Sequence, residues 1–429
     1  MISNSLIELD RAHWIHPVAS LHGHEDAGVR VLTSARGAWV TDLSGKELLD
    51  GFSGLWCVNL GYGQQSLIDA AIRQLQELPY VTGYFGIGSE PAIRLASRLA
   101  ERAPGDLDHV FFTLGGSDAV DSTIRYIQLY QNVRGTPERD QVISLECGYH
   151  GSSSLGAGLT ALPAFHDGFR APHRWQHKIP SHYAYRHPLG DNAEAITAAS
   201  VAQLRAKICE IGHERVAAFY AEPIQGSGGV IVPPPGWMKA MFDVCRELDI
   251  LFIADEVITA FGRTGPLFAS ADEGIEPDMI NTAKGLTSGY VPMGAVLMSD
   301  RIYQSIADGL GERVVGHGFT YSGHPVSAAV ALAALDLYED GLLEHGGRMG
   351  KRLMSGLRDL ADHPLVGDVR GRGMLAAIEL VTNKAAKTPL PAAAKPGKRL
   401  FNRAWQEGLI VRAFGNGVLG YAPGLCWSM

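Results

Sequence analysis

An acid at the end of a buried strand and a lone lysine on a nearby turn can hold the two ends of one flat, electron-accepting ring. This chain offers both. Leu251-Phe252-Ile253-Ala254-Asp255-Glu256-Val257 is a short apolar run that ends in two carboxylates. Asn281-Thr282-Ala283-Lys284-Gly285-Leu286-Thr287-Ser288-Gly289-Tyr290 sets one lysine among small residues. Pyridoxal phosphate needs that pair. Its aldehyde forms a Schiff base with a lysine amine, and a carboxylate keeps its pyridine nitrogen protonated so that the ring can accept electrons. The two residues alone leave ordinary readings open. A buried carboxylate needs only some donor, and a lysine is most often a solvated charge. The glycines and the lack of neighbouring charge around Lys284 suit a short turn with a partly desolvated amine of lowered pKa.

A phosphate needs amides. Gly115-Gly116-Ser117-Asp118 follows the apolar run Val110-Phe111-Phe112 and opens a helical pattern in which Val120, Ile124 and Ile127 share one face. Free amides and the positive end of the helix dipole would hold a dianion there, and Ser117 adds a hydroxyl. The same residues also read as a plain turn and cap. They do not form G-x-x-x-x-G-K-[ST], which disfavours a nucleotide triphosphate. Tyr149-His150-Gly151 comes after a strand expected over 141–145. A tyrosine at a strand end can cover one face of a pyridine ring, though most such tyrosines simply pack. His13/His16 and His22/His24 are close histidine pairs with no acidic cluster in register, so no metal site is expected.

These residues must be positioned by strands. Residues 216–221 form a continuous apolar run ending at Glu222-Pro223. A turn with Pro233, Pro234, Pro235 and Gly236 follows, then Trp237, Met238, Met241, Phe242, Cys245 and Leu248 at helical spacing, then the run 251–254. That is a β-α-β unit whose strands are buried on both faces, as parallel strands are. Similar runs at 110–112, 142–143 and 295–297 predict a doubly wound, mostly parallel α/β sheet. Short strands are expected over 30–55, helices over 326–338 and 342–360, a strand at 374–380, a helix near 398–407 and a strand at 409–413. The Ala-, Lys- and Pro-rich stretch 383–396 reads as a mobile connection. The expected organisation is 1–58 as the N-terminal part of a small α+β domain, 59–324 as a large cofactor-binding domain and 325–429 as the rest of the small domain.

The bulk numbers bound the possibilities. With 429 residues, 46% hydrophobic and 19% charged, the chain has an ordinary globular composition. A net charge of −8 argues against a nucleic-acid partner. No run approaches the roughly 18 apolar residues of a membrane span. Residues 1–17 lack a basic region followed by an apolar one, so no secretory leader is expected. The five cysteines are scattered without a C-x-x-C pair, which fits a cytoplasmic protein with free thiols.

Longer stretches match a known family. Gly54-Leu55-Trp56-Cys57, Gly148-Tyr149-His150-Gly151, Ala221-Glu222-Pro223-Ile224-Gln225-Gly226, Asp255-Glu256-Val257-Ile258-Thr259-Ala260-Phe261-Gly262-Arg263-Thr264-Gly265, the stretch around Lys284 and His317-Gly318-Phe319-Thr320-Tyr321-Ser322-Gly323-His324-Pro325 occur in this order. Over nearly its whole length the chain resembles the class III aminotransferases of fold type I, and among them the ω-amine:pyruvate transaminases. The resemblance implies roles at matching positions. Lys284 would be the Schiff-base lysine and proton carrier, and Asp255 the pyridinium partner. Tyr149 and Val257 would cover the two ring faces, and Gly116 and Ser117 would hold the phosphate. Phe319-Thr320 would complete that phosphate cup from the second subunit of a homodimer, or of a dimer of dimers. Glu222 would organise the cofactor edge or pair with an arginine. Trp56 would wall the amine pocket. Arg412 would grip the carboxylate of pyruvate and swing out for a carboxylate-free amine.

The reaction so implied is a ping-pong transfer from a terminal amine (a diamine, an ω-amino acid or an arylalkyl amine) to pyruvate through pyridoxamine phosphate. The rivals are a decarboxylase or aminomutase of the same class, and a shortened, poorly active cofactor-binding protein. Two departures stand out. Gly115-Gly116-Ser117-Asp118 replaces the usual Ser-Gly-Ser-Glu and removes a hydroxyl near the phosphate. The sequence also stops soon after Tyr421-Ala422-Pro423, where relatives continue through a further helix, so exposed apolar surface is expected there.

Overall fold

The computed structural model describes residues 2–427. Its centre is a seven-stranded sheet with the spatial order His109–Thr113, Gly294–Met298, Met279–Thr282, Leu251–Asp255, Val216–Ala221, Gln141–Leu145, Gln176–Ile179. Gly294–Met298 runs antiparallel to both its neighbours and every other pairing is parallel, so six strands point the same way.

The continuous apolar runs follow from two-sided burial. Along Val216–Ala221, Val216, Phe219 and Ala221 enter one core while Ala217, Ala218 and Tyr220 enter the other. Leu251 and Ile253 likewise part from Phe252 and Ala254. Helix Gly116–Val133 covers one face through Val120, Ile124 and Ile127, as their spacing predicts. Helices Trp237–Glu247 and Pro325–Leu337 cover the other. At about 25 cal/mol per Å² of apolar area removed from water, burial on both faces stabilises such strands.

The two chain ends meet in smaller sheets. Leu32–Arg36, Trp39–Asp42 and Glu47–Asp50 form an antiparallel meander, and Leu409–Ile410 joins its edge parallel to Glu47–Asp50. The expected single strand over 409–413 is thus two pieces. Arg412–Ala413 leaves for another sheet, where it pairs with Val418–Tyr421 beside Leu375–Asn383 and Val366–Arg372. The stretch read as a mobile connection carries a short strand, Thr388–Pro389, paired to Leu375–Asn383. Residues 422–425 are buried, and Leu425 packs where a Cβ on Gly262 or Gly346 would otherwise sit. Among the described residues, no helix is long and apolar enough to cross a membrane.

Candidate active site

Five predicted site segments lie just beyond the carboxyl ends of the six co-directional strands. Gly115–Ser117 follow His109–Thr113, Tyr149 follows Gln141–Leu145, and Glu222 follows Val216–Ala221. Asp255 ends its own strand, and Lys284 follows Met279–Thr282. In an open α/β sheet that edge is where ligands bind.

Lys284 starts a tight 3-10 turn, Lys284–Leu286, with a left-handed backbone at φ +43°. Gly285 behind it cannot carry a side chain, because a Cβ would stand 2.5 Å from Asn59 Nδ2. Among the described residues no acid or hydroxyl bonds the Lys284 amine. Its neighbour is the Trp56 ring, with Nζ 5.4 Å from the centroid. Burial lowers the amine's pKa to about 8, against the opposing pull of Asp255, Cys57 and Glu222. Trp56 is also left-handed, at φ +58°. Two strained side-chain-bearing residues facing each other across a site fit the tendency of backbone strain to gather where function needs it.

Asp255 is buried, and its carboxylate is held at both oxygens. Oδ2 lies 2.8 Å from His150 Nδ1, and Oδ1 accepts the Val257 amide at 3.1 Å. His150 is fixed in turn, its amide donating to Thr160 Oγ1 at 2.8 Å and its ring edge-on to Tyr220 at 5.2 Å. The sequence offers no role for His150 beyond its place in Tyr149-His150-Gly151. The bond to Asp255 joins residues 105 positions apart.

Glu222 lies on the floor between these groups. Among the described residues it pairs with no arginine. Oε1 accepts the Tyr149 amide and Oε2 the Gly226 amide, each at 2.9 Å. Burial, then the nearby Asp255 charge, raise its pKa to about 8, while those amides and Lys284 pull it down. The bond to its amide anchors Tyr149, whose ring meets Phe165 edge-on at 5.2 Å.

Helix Gly116–Val133 presents its N-terminus to the same edge with no side-chain cap. Val257 packs so close that a Cβ on Gly116 would stand 2.8 Å from its Cγ1. Ser117 Oγ accepts the Ser152 amide at 3.2 Å. Gly151 (φ +96°) lets that loop pass, since a Cβ there would lie 2.7 Å from Ser117 Oγ. Beyond Trp56 the rim is aromatic. Phe414 lies 6.5 Å from the Trp56 ring, and the exposed Arg412 guanidinium sits 5.2 Å from the Phe414 ring. Thr320 stands apart from this group on the exposed surface, its carbonyl accepting the Tyr80 hydroxyl at 2.9 Å.

The donor set fits pyridoxal phosphate. An unpaired, desolvated amine, a buried carboxylate with donors at both oxygens and an uncapped helix N-terminus face one strand edge. Such a sheet with a lysine and an aspartate at its strand ends defines a fold type I pyridoxal-phosphate enzyme. The model for "Aminotransferase class-III" matches residues 22–428, and the chain belongs to that family: it is an aminotransferase with pyridoxal phosphate as cofactor. It is 41% identical to the putrescine–pyruvate aminotransferase of Pseudomonas aeruginosa, over 97% of this chain and 91% of that one. Its structure resembles an (S)-enantioselective ω-transaminase from Thermomicrobium roseum with a TM-score of 0.96 at 42% identity, covering 99% of this chain and 95% of that one. The Pseudomonas jessenii ω-transaminase, solved in complex with PMP, gives 0.96 at 39% identity, covering 99% and 94%.

Proposed function

We propose that this aminotransferase moves nitrogen from a terminal amine to pyruvate, with Lys284, Asp255 and Arg412 as the residues on which turnover depends. The observation that carries this reading is the position of Lys284, whose buried amine faces the Trp56 ring. When bound, pyridoxal phosphate supplies a ring that accepts the electron pair released at the substrate carbon. Lys284 Nζ takes the proton from that carbon and returns it, a task suited to an amine whose pKa lies near 8. Asp255, fixed by His150 and the Val257 amide, would keep a proton on the ring nitrogen. Gly116 and Ser117 would hold the phosphate at the helix N-terminus, and Tyr149 and Val257 would flank the ring. Glu222 fixes the Tyr149 backbone at the cofactor edge.

Trp56 and Phe414 give the amine's carbon body an apolar wall. Arg412, exposed at its end, binds the carboxylate of pyruvate and leaves the wall free when the amine carries none. The relative named for putrescine and pyruvate supports this donor and acceptor. A homodimer in which Thr320 of each chain reaches the other's phosphate accounts for that threonine's exposed place.

The test is alanine formation from pyruvate with putrescine, β-alanine and 1-phenylethylamine. Wild type should form alanine with at least one. Lys284→Ala should lose on the order of 10³-fold or more. Arg412→Ala should raise KM for pyruvate about tenfold or more, with the amine half-reaction kept. Carbon dioxide released from an amino acid with no alanine formed would overturn the reading.

A further inference from the structure

We propose that Asp10, His16 and His24 form a binding site for a divalent transition-metal ion of the zinc type, which staples the N-terminal helical arm. The arm consists of helix Ile2–His13, a turn and helix Leu21–Ala27. His16 Nε2 lies 2.7 Å from Asp10 Oδ1, and His24 Nε2 lies 2.6 Å from Oδ2. The two imidazole centroids lie 4.4 Å apart, with the ring planes tilted by 43°. Among the described residues this is the one group of three His, Cys, Asp or Glu residues whose ligand atoms lie within 4.8 Å of one another. The side chains are sheltered but reachable, with 8% of Asp10, 20% of His16 and 18% of His24 exposed.

The surroundings are built to aim these groups. Ser20 caps the second helix by accepting the Gly23 amide at 3.2 Å, which fixes the start of the turn that bears His24. The Trp14 ring packs 4.2 Å from His16 and walls one side. His22, by contrast, points into solvent beside Glu25. Two imidazoles and a carboxylate suit zinc and its neighbours, and three protein ligands leave a fourth position for water. Metal–ligand bonds of about 2.0–2.1 Å place tetrahedral ligand atoms about 3.3 Å apart, so the cluster must open by several tenths of an ångström. The turn between the helices gives it room. Each imidazole then keeps its proton on Nδ1 and offers Nε2 to the ion.

The consequence is structural. Helices of 12 and 7 residues are too short to persist alone, and Trp14, Ile15, Val18 and Leu21 on this arm are exposed. An ion at Asp10, His16 and His24 would join both helices and the turn in one cross-link. None of these residues belongs to the active site.

The test uses the holoenzyme stripped with a chelator and titrated with cobalt(II), read by its visible d–d absorption, and with zinc(II), read by calorimetry. One ion per chain should bind. His24→Gln and Asp10→Asn should weaken binding about tenfold or more, while His22→Gln should not, and alanine formation should be unchanged in all three. His24→Cys separates a metal site from a hydrogen-bonded clamp: a thiolate ligates but cannot replace the imidazole bond, so cobalt binding should persist with a new thiolate charge-transfer band. Equal binding by wild type and His24→Gln, or equal loss in His22→Gln, would overturn the proposal. So would loss of binding in His24→Cys with the arm still helical.

Discussion

The Lys284 amine is desolvated and has no hydrogen-bond partner among the described residues, and that sets a pH signature. Its pKa falls from an ordinary 10.5 to about 8, so the neutral, nucleophilic form is reached more than two pH units early. The apoenzyme's rate of taking up pyridoxal phosphate, followed by its visible absorbance, should therefore rise from pH 6 to about 8 and level off above it. A rate still climbing tenfold per unit at pH 9 would mean an unperturbed lysine. His150 makes a second expectation. His150→Phe keeps the ring but removes the bond to Asp255, so kcat should fall about 10- to 100-fold with little change in KM for the amine. The bound cofactor's absorption should shift as its ring nitrogen loses its proton, and His150→Asn should recover part of both. Lys284 and Asp255 were legible in the sequence because each ends or follows a recognisable strand. The His150–Asp255 bond was not, because it joins two loops whose proximity only the sheet order decides.

Elements matter here through the loops at their ends. Gly151 sits at φ +96°, where a Cβ would meet Ser117 Oγ at 2.7 Å. Gly151→Ala would cost about 1–2 kcal/mol in backbone strain and push the Ser117 hydroxyl aside. Its dissociation constant for pyridoxal phosphate, measured by titrating the apo form, should rise about tenfold, with the fold intact by circular dichroism. The strands were readable for a plain reason: burial on both faces removes the polar alternation and leaves runs such as Val216–Ala221. The antiparallel direction of Gly294–Met298 left no such trace, since an apolar run reads the same either way. The break at Val411 was equally silent. Leu409–Ile410 and Arg412–Ala413 pair with partners from opposite ends of the chain, and one continuous run gives no sign of two destinations. The Asp10–His16–His24 cluster left no sequence signal because Asp10 lies 6 and 14 positions before its two histidines, on a different helix from His24.

For the molecule as a whole, Arg263 ties three distant stretches of the chain together. It is fully buried, and burial lowers its pKa to about 10, which leaves it charged at neutral pH. Its guanidinium donates to Asn59 Oδ1 at 2.5 Å, to the Pro423 carbonyl at 2.6 Å and to the Met374 carbonyl at 3.3 Å. No carboxylate pairs with it in these bonds, so its worth lies in satisfying three buried acceptors from three distant stretches. Arg263→Leu would leave them unpaired, at about 1–3 kcal/mol each. The thermal midpoint should drop, and native-state proteolysis should open near residues 421–427 before it reaches the central sheet.

The pairing of Glu47–Asp50 with Leu409–Ile410 carries a consequence for how the protein is made. The first strands leave the ribosome early, and the strand that completes their sheet emerges only when synthesis is nearly over. At about 5–20 residues per second the wait is roughly 20–70 s, ample time for the central sheet to form between them. The meander spends that interval with an open edge, the kind of surface that recruits stray strands. A nascent chain stalled before residue 409 should hold a formed central sheet beside an unsealed N-terminal one, and chaperones that shield strand edges should engage it there.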